Sequence, residues 1–376
     1  MNQLITLFDL IIIIGIVQGL VTSSLLIYRN KQGDRFLAFS IVSFCLLSCK
    51  ILLHTLGLWD THFFRYFPLG IDLVIQPLIY LYVIQLIQPT SRLNKTTLLH
   101  FIPFAVYEIH ALVVYFSVLS VTDPEAKDVI AESYHFNDVK YLEDYLTLLS
   151  TFAYLIIGLV KIKSYKSWLD SNISDSSYPT FSWLKAILIQ LMVIGGLLLV
   201  NLSLDRILFP GSSNFLRWQV FYIAVALHIY YLGFIGLNNK IHNQLIPPTK
   251  KQIRKKVTDD QVREIVANLQ GALEKERVYL NPKLSSTDLA KQLNIAVGNL
   301  SYAINLHYQK NFRELINEYR VKEAKSKLLD PSCNHLSILG IAYESGFSSE
   351  ASFYRIFKKT AGCSPADYQK QHPHTV

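Results

Sequence analysis

Through Leu237 the chain is built from long apolar runs separated by short polar stretches, and after that the pattern changes. A helix that crosses a bilayer needs about 20 mostly apolar residues. Seven runs approach that length: residues 4–28, 36–58, 67–87, 98–119, 145–162, 183–204 and 215–237. The fifth is the shortest and the sixth ends in charge, so six spans is the other count the pattern allows. Residues 238–256 are polar, basic and broken by Pro247 and Pro248. From Thr258 the apolar residues Val262, Ile265, Val266, Leu269 and Leu273 return at helical spacing, with Thr258 and Asp259 as a cap. This helix either connects the apolar half to the C-terminal residues or pairs with a second chain.

Two pairs of short helices come next. Residues 286–293 read as a helix with Leu289, Ala290 and Leu293 inward, and residues 294–297 break it. Residues 298–308 resume helical spacing, with Leu300, Ile304 and Leu306 inward and Asn299, Ser301, Tyr302 and Asn305 outward. A long helix is expected over 312–329, ended by Asp330-Pro331, because proline disfavours helix at the residue before it. The pattern then recurs about 50 residues on. Residues 337–344 form a helix, Ser345-Gly346-Phe347 a turn, and residues 349–360 a second helix with Phe353, Ile356 and Phe357 inward. Its outward set is Glu350, Ala351, Tyr354, Arg355, Lys358 and Lys359, with Ser349 at its start. Two short helices joined by a tight turn form a helix-turn-helix.

Charge separates the two halves. Lys+Arg and Asp+Glu balance through Leu237, so the whole formal excess of +8 lies in the C-terminal part. A cationic polar half attracts a polyanion, either nucleic acid or an anionic lipid surface. The basic stretch after the last span is also suited to a lipid surface. The first basic residue, Arg29, comes after the first apolar run, so a cleavable signal peptide is not expected. Basic residues favour one set of loops: Arg29, Lys31 and Arg35; Arg92 and Lys95; Lys161, Lys163 and Lys166; and Lys240, Lys250, Lys251, Arg254, Lys255 and Lys256. The loop over 120–144 is acidic. The positive-inside rule then puts the N-terminus outside and the C-terminus in the cytoplasm, which seven spans satisfy.

Polar groups within the spans are few. Lys50 and Asp72 fall near the same depth of neighbouring antiparallel spans, and Glu108 lies near mid-span. They are read either as a ligand pocket or as a structural ion pair. Gly15 and Gly19 make a GxxxG that permits close helix contact within one chain or between two. Cys45, Cys49, Cys333 and Cys363 imply no disulfide framework. No HExxH, GxSxG or glycine-rich phosphate loop is present, so no catalysis, cofactor or metal is expected.

Ile341-Ala342-Tyr343-Glu344-Ser345-Gly346-Phe347-Ser348-Ser349 resembles an IAxxxGFxS element. Phe353-Tyr354-Arg355-Ile356-Phe357-Lys358-Lys359-Thr360-Ala361-Gly362-Cys363-Ser364-Pro365 resembles FxRxFKKxxGxxP. Both are signatures of AraC/XylS-type transcription regulators, and Tyr319 to Lys325 is similar to that family's linker helix. A multi-span N-terminus before such a domain is similar to membrane-bound bacterial members. The resemblance implies two recognition helices in successive major grooves, with no base-reading role yet fixed to a residue. By chemistry Arg355 suits guanine, Lys358 and Lys359 suit phosphates, and Glu350 suits either cytosine or the helix N-terminus. The first unit lacks Lys or Arg on its second helix, a departure from the family that points to hydroxyl, methyl or shape readout.

The fold expected is all-α: a polytopic bundle over 1–237, a basic linker and connector helix over 238–279, and a DNA-binding domain with two helix-turn-helix units over 280–372. The expected function is a membrane-anchored, sequence-specific transcriptional regulator of a bacterial inner membrane. Its partners would be double-stranded DNA, the bilayer, a signal ligand and a second copy of the chain. The competing readings are a receptor whose tail binds a protein and a transporter-like protein.

Overall fold

The structure is a computed structural model of the 376-residue chain. It describes residues 6–31, 33–88, 95–174, 182–208, 216–238 and 258–372. Among these the fold is all helical, with a single isolated antiparallel bridge between Ile173 and Ser285. The chain divides into two compact units, residues 1–162 with 181–244 and residues 163–180 with 245–376. The basic residues from Lys240 to Lys256, with Pro247, Pro248 and Arg92, lie outside the described residues.

The first unit begins with α1 (Leu7–Arg29) and α2 (Asp34–Thr55). Thr6 caps α1 by accepting from the Asp9 amide while the Asp9 carboxylate accepts from the Thr6 amide. A 3₁₀ turn over Asp72–Val74 leads into α3 (Ile75–Ile87), and α4 (Lys95–Leu98) with a further 3₁₀ turn leads into α5 (Ile102–Val118). Then come α6 (Pro124–Ser133), α7 (Phe136–Asn172), α8 (Ser182–Ile207) and α9 (Leu216–Asn238). Six described helical stretches are long and apolar enough to cross a membrane: Leu7–Arg29, Asp34–Thr55, Thr96–Val118, Phe136–Asn172, Trp183–Ile207 and Leu216–Asn238.

The third expected span is shorter than its apolar run. The helical part is Asp72–Ile87, about 24 Å at 1.5 Å per residue against a hydrocarbon core of about 30 Å. Pro68 disfavours helix at Phe67, and Gly70 lies just beyond it, so the run before Asp72 is not helical. The fifth span departs in the other direction. The acidic stretch over 120–144, read as loop, contains α6 and the start of α7. Asp123 caps α6 by accepting from the Ala126 amide at 3.0 Å, with Pro124 in the first turn. α7 runs on past Lys161, Lys163 and Lys166, since lysine is a good helix former.

α1, α2 and α9 pack closely. A Cβ on Gly19 would lie 2.5 Å from Cys45 Sγ and 2.7 Å from Ile229, and one on Gly15 would lie 2.8 Å from Ala226 Cβ. The GxxxG therefore serves packing within the chain. The opposite face of α1 exposes Leu10, Ile14, Val17 and Val21, as a lipid-facing helix requires. Arg29 joins the ends of the three helices. Its guanidinium donates to both Asp34 carboxylate oxygens, at 2.7 and 2.6 Å, and to the Gly236 and Leu237 carbonyls that end α9, at 2.7 and 3.0 Å.

The second unit holds α10 (Asp259–Glu274), α11 (Ser286–Gln292), α12 (Val297–Tyr308), α13 (Phe312–Leu328), α14 (Ile338–Glu344), α15 (Glu350–Ala361) and α16 (Pro365–Gln371). Two apolar cores are strung along α13. The first joins Val262, Ile265 and Leu269 of α10 to Leu289, Leu300, Ile304, Leu315 and Ile316. The apolar face of α10, read as a connector or pairing surface, is thus buried in this core. The second core joins Val321, Ala324 and Leu328 to Ile341, Phe347, Phe353 and Phe357.

Residues 163–174 also belong to this unit. Ile173 is buried, and the Ser174 hydroxyl donates to the Leu284 carbonyl at 2.6 Å. Asn172 accepts from the Ser286 hydroxyl at 3.0 Å, and Asp170 pairs with Arg313 at 3.0 Å.

Candidate nucleic-acid interface

Each helix-turn-helix is set by local chemistry. Ser285 caps α11 by accepting from the Asp288 amide at 3.1 Å, and Ser337 caps α14 by accepting from the Gly340 amide at 3.0 Å. In the second unit the turn needs Gly346, whose φ is +89°. A Cβ there would lie 2.5 Å from the Tyr279 carbonyl oxygen and 2.9 Å from Leu280 Cα, so this turn packs directly on the chain that precedes the first helix-turn-helix.

Arg320 of α13 ties the two helix-turn-helix motifs together within the second compact unit. It is 1% exposed, yet it donates to the carbonyls of Tyr279 and Asn281 at 2.8 and 2.7 Å and to Ser174 Oγ at 3.0 Å. Its guanidinium carbon also lies 6.0 Å from the centre of the Phe347 ring. Arg277 donates to the Glu323 carboxylate of α13 and to Tyr279 Oη, the latter at 3.1 Å; the bond to Glu323 raises the Arg277 pKa further.

α12 and α15 are the second helices of the two units. α12 exposes Tyr302, Asn305 and Leu306, with Asn299 and Ser301 half-buried. Leu306, expected inward, is 54% exposed, and lies one turn beyond Tyr302 on the outer face. Three residues of a helix seat Leu300, Ala303 and Ile304 in the core, and Leu306 falls outside their arc. α15 exposes Glu350, Ala351, Arg355, Lys358 and Lys359. Arg355, Lys358 and Lys359 form no ion pair with a described residue, so their charge faces outward. Ser349 is the half-buried N-cap, and Glu350 sits in the first turn, where the helix dipole favours an anion. Tyr354, expected outward, is half-buried: its ring packs edge-on against Phe353 at 5.5 Å. The outer face of α12 is therefore neutral and that of α15 cationic.

Comparison with known families places residues 289–371 in the helix-turn-helix domain family. The C-terminal part of this chain is an AraC-type helix-turn-helix domain. Such domains belong to DNA-binding transcription regulators, and α12 and α15 are the second helices of its two helix-turn-helix units. A solved structure of a protein of unknown function from Listeria innocua is 28% identical over 29% of this chain and 98% of its own, with a TM-score of 0.26. Comparison with curated proteins gave no match.

The polar groups singled out within the spans fall in the first unit. Lys50 and Asp72 form an ion pair. Lys140 of α7 lies 3.3 Å from the same carboxylate, 2.6 Å from Glu143 and 3.4 Å from Asp144. Glu108 is apart from this network and accepts from the Gly70 amide at 2.8 Å. Lys140, Glu143 and Asp144 lie in the acidic stretch over 120–144 that hydropathy alone marks as loop, yet they stand on the first turns of α7. Their i, i+3, i+4 spacing was the available signal of a helix face. Cys45 and Cys49 are free, and no cluster of metal-ligating side chains occurs among the described residues.

Proposed function

We propose that this protein is a one-component regulator whose apolar half senses a signal in or beyond the bacterial inner membrane and whose C-terminal domain binds promoter DNA. The observation that carries this reading is the paired helix-turn-helix domain, fixed in one geometry by Arg320 and Gly346, in a chain whose described residues also include six helices suited to a bilayer. The second unit supplies most of the electrostatic attraction, through Arg355, Lys358 and Lys359, with Arg355 reading a guanine edge and the lysines on phosphates. The first unit reads through Ser301, Tyr302, Asn305 and the apolar surface of Leu306, which suits a thymine methyl. The N-terminus lies outside and the domain in the cytoplasm, in keeping with the bias of basic loops.

Signal transfer runs along α7 as well as α10. α7 continues from its apolar stretch to Asn172, and Ser174 just beyond it accepts from Arg320, the residue that sets the two helix-turn-helix units.

Genome-wide mapping of the full-length protein on the chromosome tests the reading. A small set of promoter sites is expected. In nanodiscs, the intact protein should bind one of those promoters with an affinity that falls steeply with salt. Capture of a protein partner with no preference for any duplex would sink the reading in favour of a receptor.

A further inference from the structure

Within the first unit a cavity of about 270 Å³ opens beside the charged network. Trp59, Phe67, Tyr107 and Phe136 form much of its wall, and Lys140 and Glu143 present charge to it. That is just below the usual size range of small-molecule sites and has their character, apolar walls with a few polar groups.

The charges do not balance. Lys50 and Lys140 face three carboxylates, those of Asp72, Glu143 and Asp144. Both ammoniums are engaged: Lys50 by Asp72, and Lys140 by all three. Among the fully buried oxygens of these carboxylates, one is not. Glu143 is 3% exposed, its Oε2 accepts from Lys140 at 2.6 Å, and its Oε1 has no hydrogen-bond partner among the described residues. An unsatisfied buried carboxylate oxygen is costly. A proton on Glu143 would cancel the surplus charge, but it would leave an O–H facing the cavity that itself needs an acceptor. An anionic ligand would find no free ammonium. A ligand that donates hydrogen bonds and carries positive charge meets both needs, and aromatic walls attract cations by their ring faces.

We propose that this cavity binds a small organic cation, an ammonium group carried on an aromatic or apolar body. Glu143 Oε1 accepts from the ammonium, and the rings of Trp59, Phe67, Tyr107 and Phe136 hold the body. The proposal rests on the sensor reading above and supplies the class of signal.

Calorimetric titration of the full-length protein in nanodiscs tests it. The probes are phenethylammonium and benzyltrimethylammonium, with phenylacetate as the anionic control and 2-phenylethanol as the neutral one. Saturable binding of phenethylammonium at least tenfold tighter than either control is expected. Glu143→Gln keeps the shape, removes the charge and should weaken phenethylammonium at least tenfold. Trp59→Ala should weaken both cations, and Trp59→Phe should restore them, which separates loss of the wall from loss of the fold. Absence of phenethylammonium binding at millimolar concentration, binding of benzyltrimethylammonium (which has no N–H to donate) as tight as that of phenethylammonium, tighter binding of phenylacetate, or a Glu143→Gln affinity equal to that of the native protein would overturn the site. Promoter occupancy is measured separately. Binding that leaves a reporter unchanged supports the site and overturns the sensor reading, whereas no binding with promoter occupancy intact overturns the site alone.

Discussion

Gly346 and Gly362 both hold a positive φ, +89° and +82°, but they differ in what surrounds them. Around Gly362 there is open space, so Gly362→Ala costs only the left-handed conformation, about 1 kcal/mol. At Gly346 the added methyl meets the backbone of Tyr279 and Leu280, which cannot turn aside as a side chain would. Gly346→Ala should therefore cost more than about 2 kcal/mol and separate the second helix-turn-helix from the first. Denaturant unfolding monitored by a probe in α15 checks both, and equal losses at the two glycines would refute the packing argument. The cations of α15 give a second contrast. Lys358→Ala and Lys359→Ala should each weaken all duplexes alike and lower the salt slope by about 1, while Arg355→Ala should relax preference at one base pair at a cost of about 1–3 kcal/mol. An acid-sensitive contact lies at the end of the first unit. Arg65 donates to Asp128 through Nε at 2.8 Å, and that hydrogen bond holds the Asp128 pKa below its ordinary value. A carboxylate with a depressed folded pKa stabilises above its unfolded value and loses that contribution as pH falls through the folded one. Asp128 is partly exposed, so the loss below about pH 4 should stay under about 1 kcal/mol, and Asp128→Asn should abolish this part of the acid dependence in thermal melts.

The helices differ in how plainly the sequence announces them. The helix-turn-helix elements are bounded by serine caps, a glycine turn and a proline stop, and their ends match the expected ones within a residue or two. Apolar runs are a weaker guide. The run over 67–87 includes Pro68 and Gly70, which end the helix without lowering hydrophobicity, and α7 extends through charged residues that hydropathy excludes but helix propensity welcomes. For the same reason the partners of Lys50 and Asp72 were not legible: half of their network stands on a turn of α7 read as loop. Nor could a sequence reading find that Arg320 is buried, because its partners are carbonyls and a hydroxyl brought from separate segments. This gives α7 a testable part in signalling. Ser174→Ala removes one acceptor of Arg320 and one donor to Leu284, a loss of about 1 kcal/mol, because the Ser174 carbonyl and amide keep their bonds to Arg320 and Leu284. Hydrogen exchange around Leu284 should speed up, and reporter output should change more than the affinity of the intact protein for its promoter. An unchanged reporter with faster exchange would leave α7 as a brace and remove it from signal transfer.

For the whole molecule, the number of crossings decides on which side each end lies. Among the described residues six helices are long enough to span, and with those alone the two chain ends would share a side. The contacts around α6 favour a seventh passage. Arg65 and Tyr66, before α3, both donate to Asp128 of α6, and Lys127 donates to the His62 carbonyl at 2.6 Å. The turn over 59–66 and α6 therefore sit at the same end of the bundle. Between them the chain passes through Asp72–Ile87 and Thr96–Val118. If the second of these crosses, the first must cross too, or the two segments would lie on opposite faces of the bilayer. A helix about 24 Å long can do so with local thinning of the bilayer or help from flanking residues, each at modest cost. With the DNA-binding domain in the cytoplasm, seven crossings put the N-terminus and Thr61 outside and Tyr28 inside, and six reverse all three. Single cysteines at Thr61 and at Tyr28, introduced with Cys45, Cys49, Cys333 and Cys363 replaced by serine, separate the two counts in intact cells treated with an impermeant maleimide. Labelling at Thr61→Cys and protection at Tyr28→Cys is the expected result. The opposite pattern would mean that Asp72–Ile87 does not traverse, and the ion pair of Arg65 with Asp128 could not then form in the membrane.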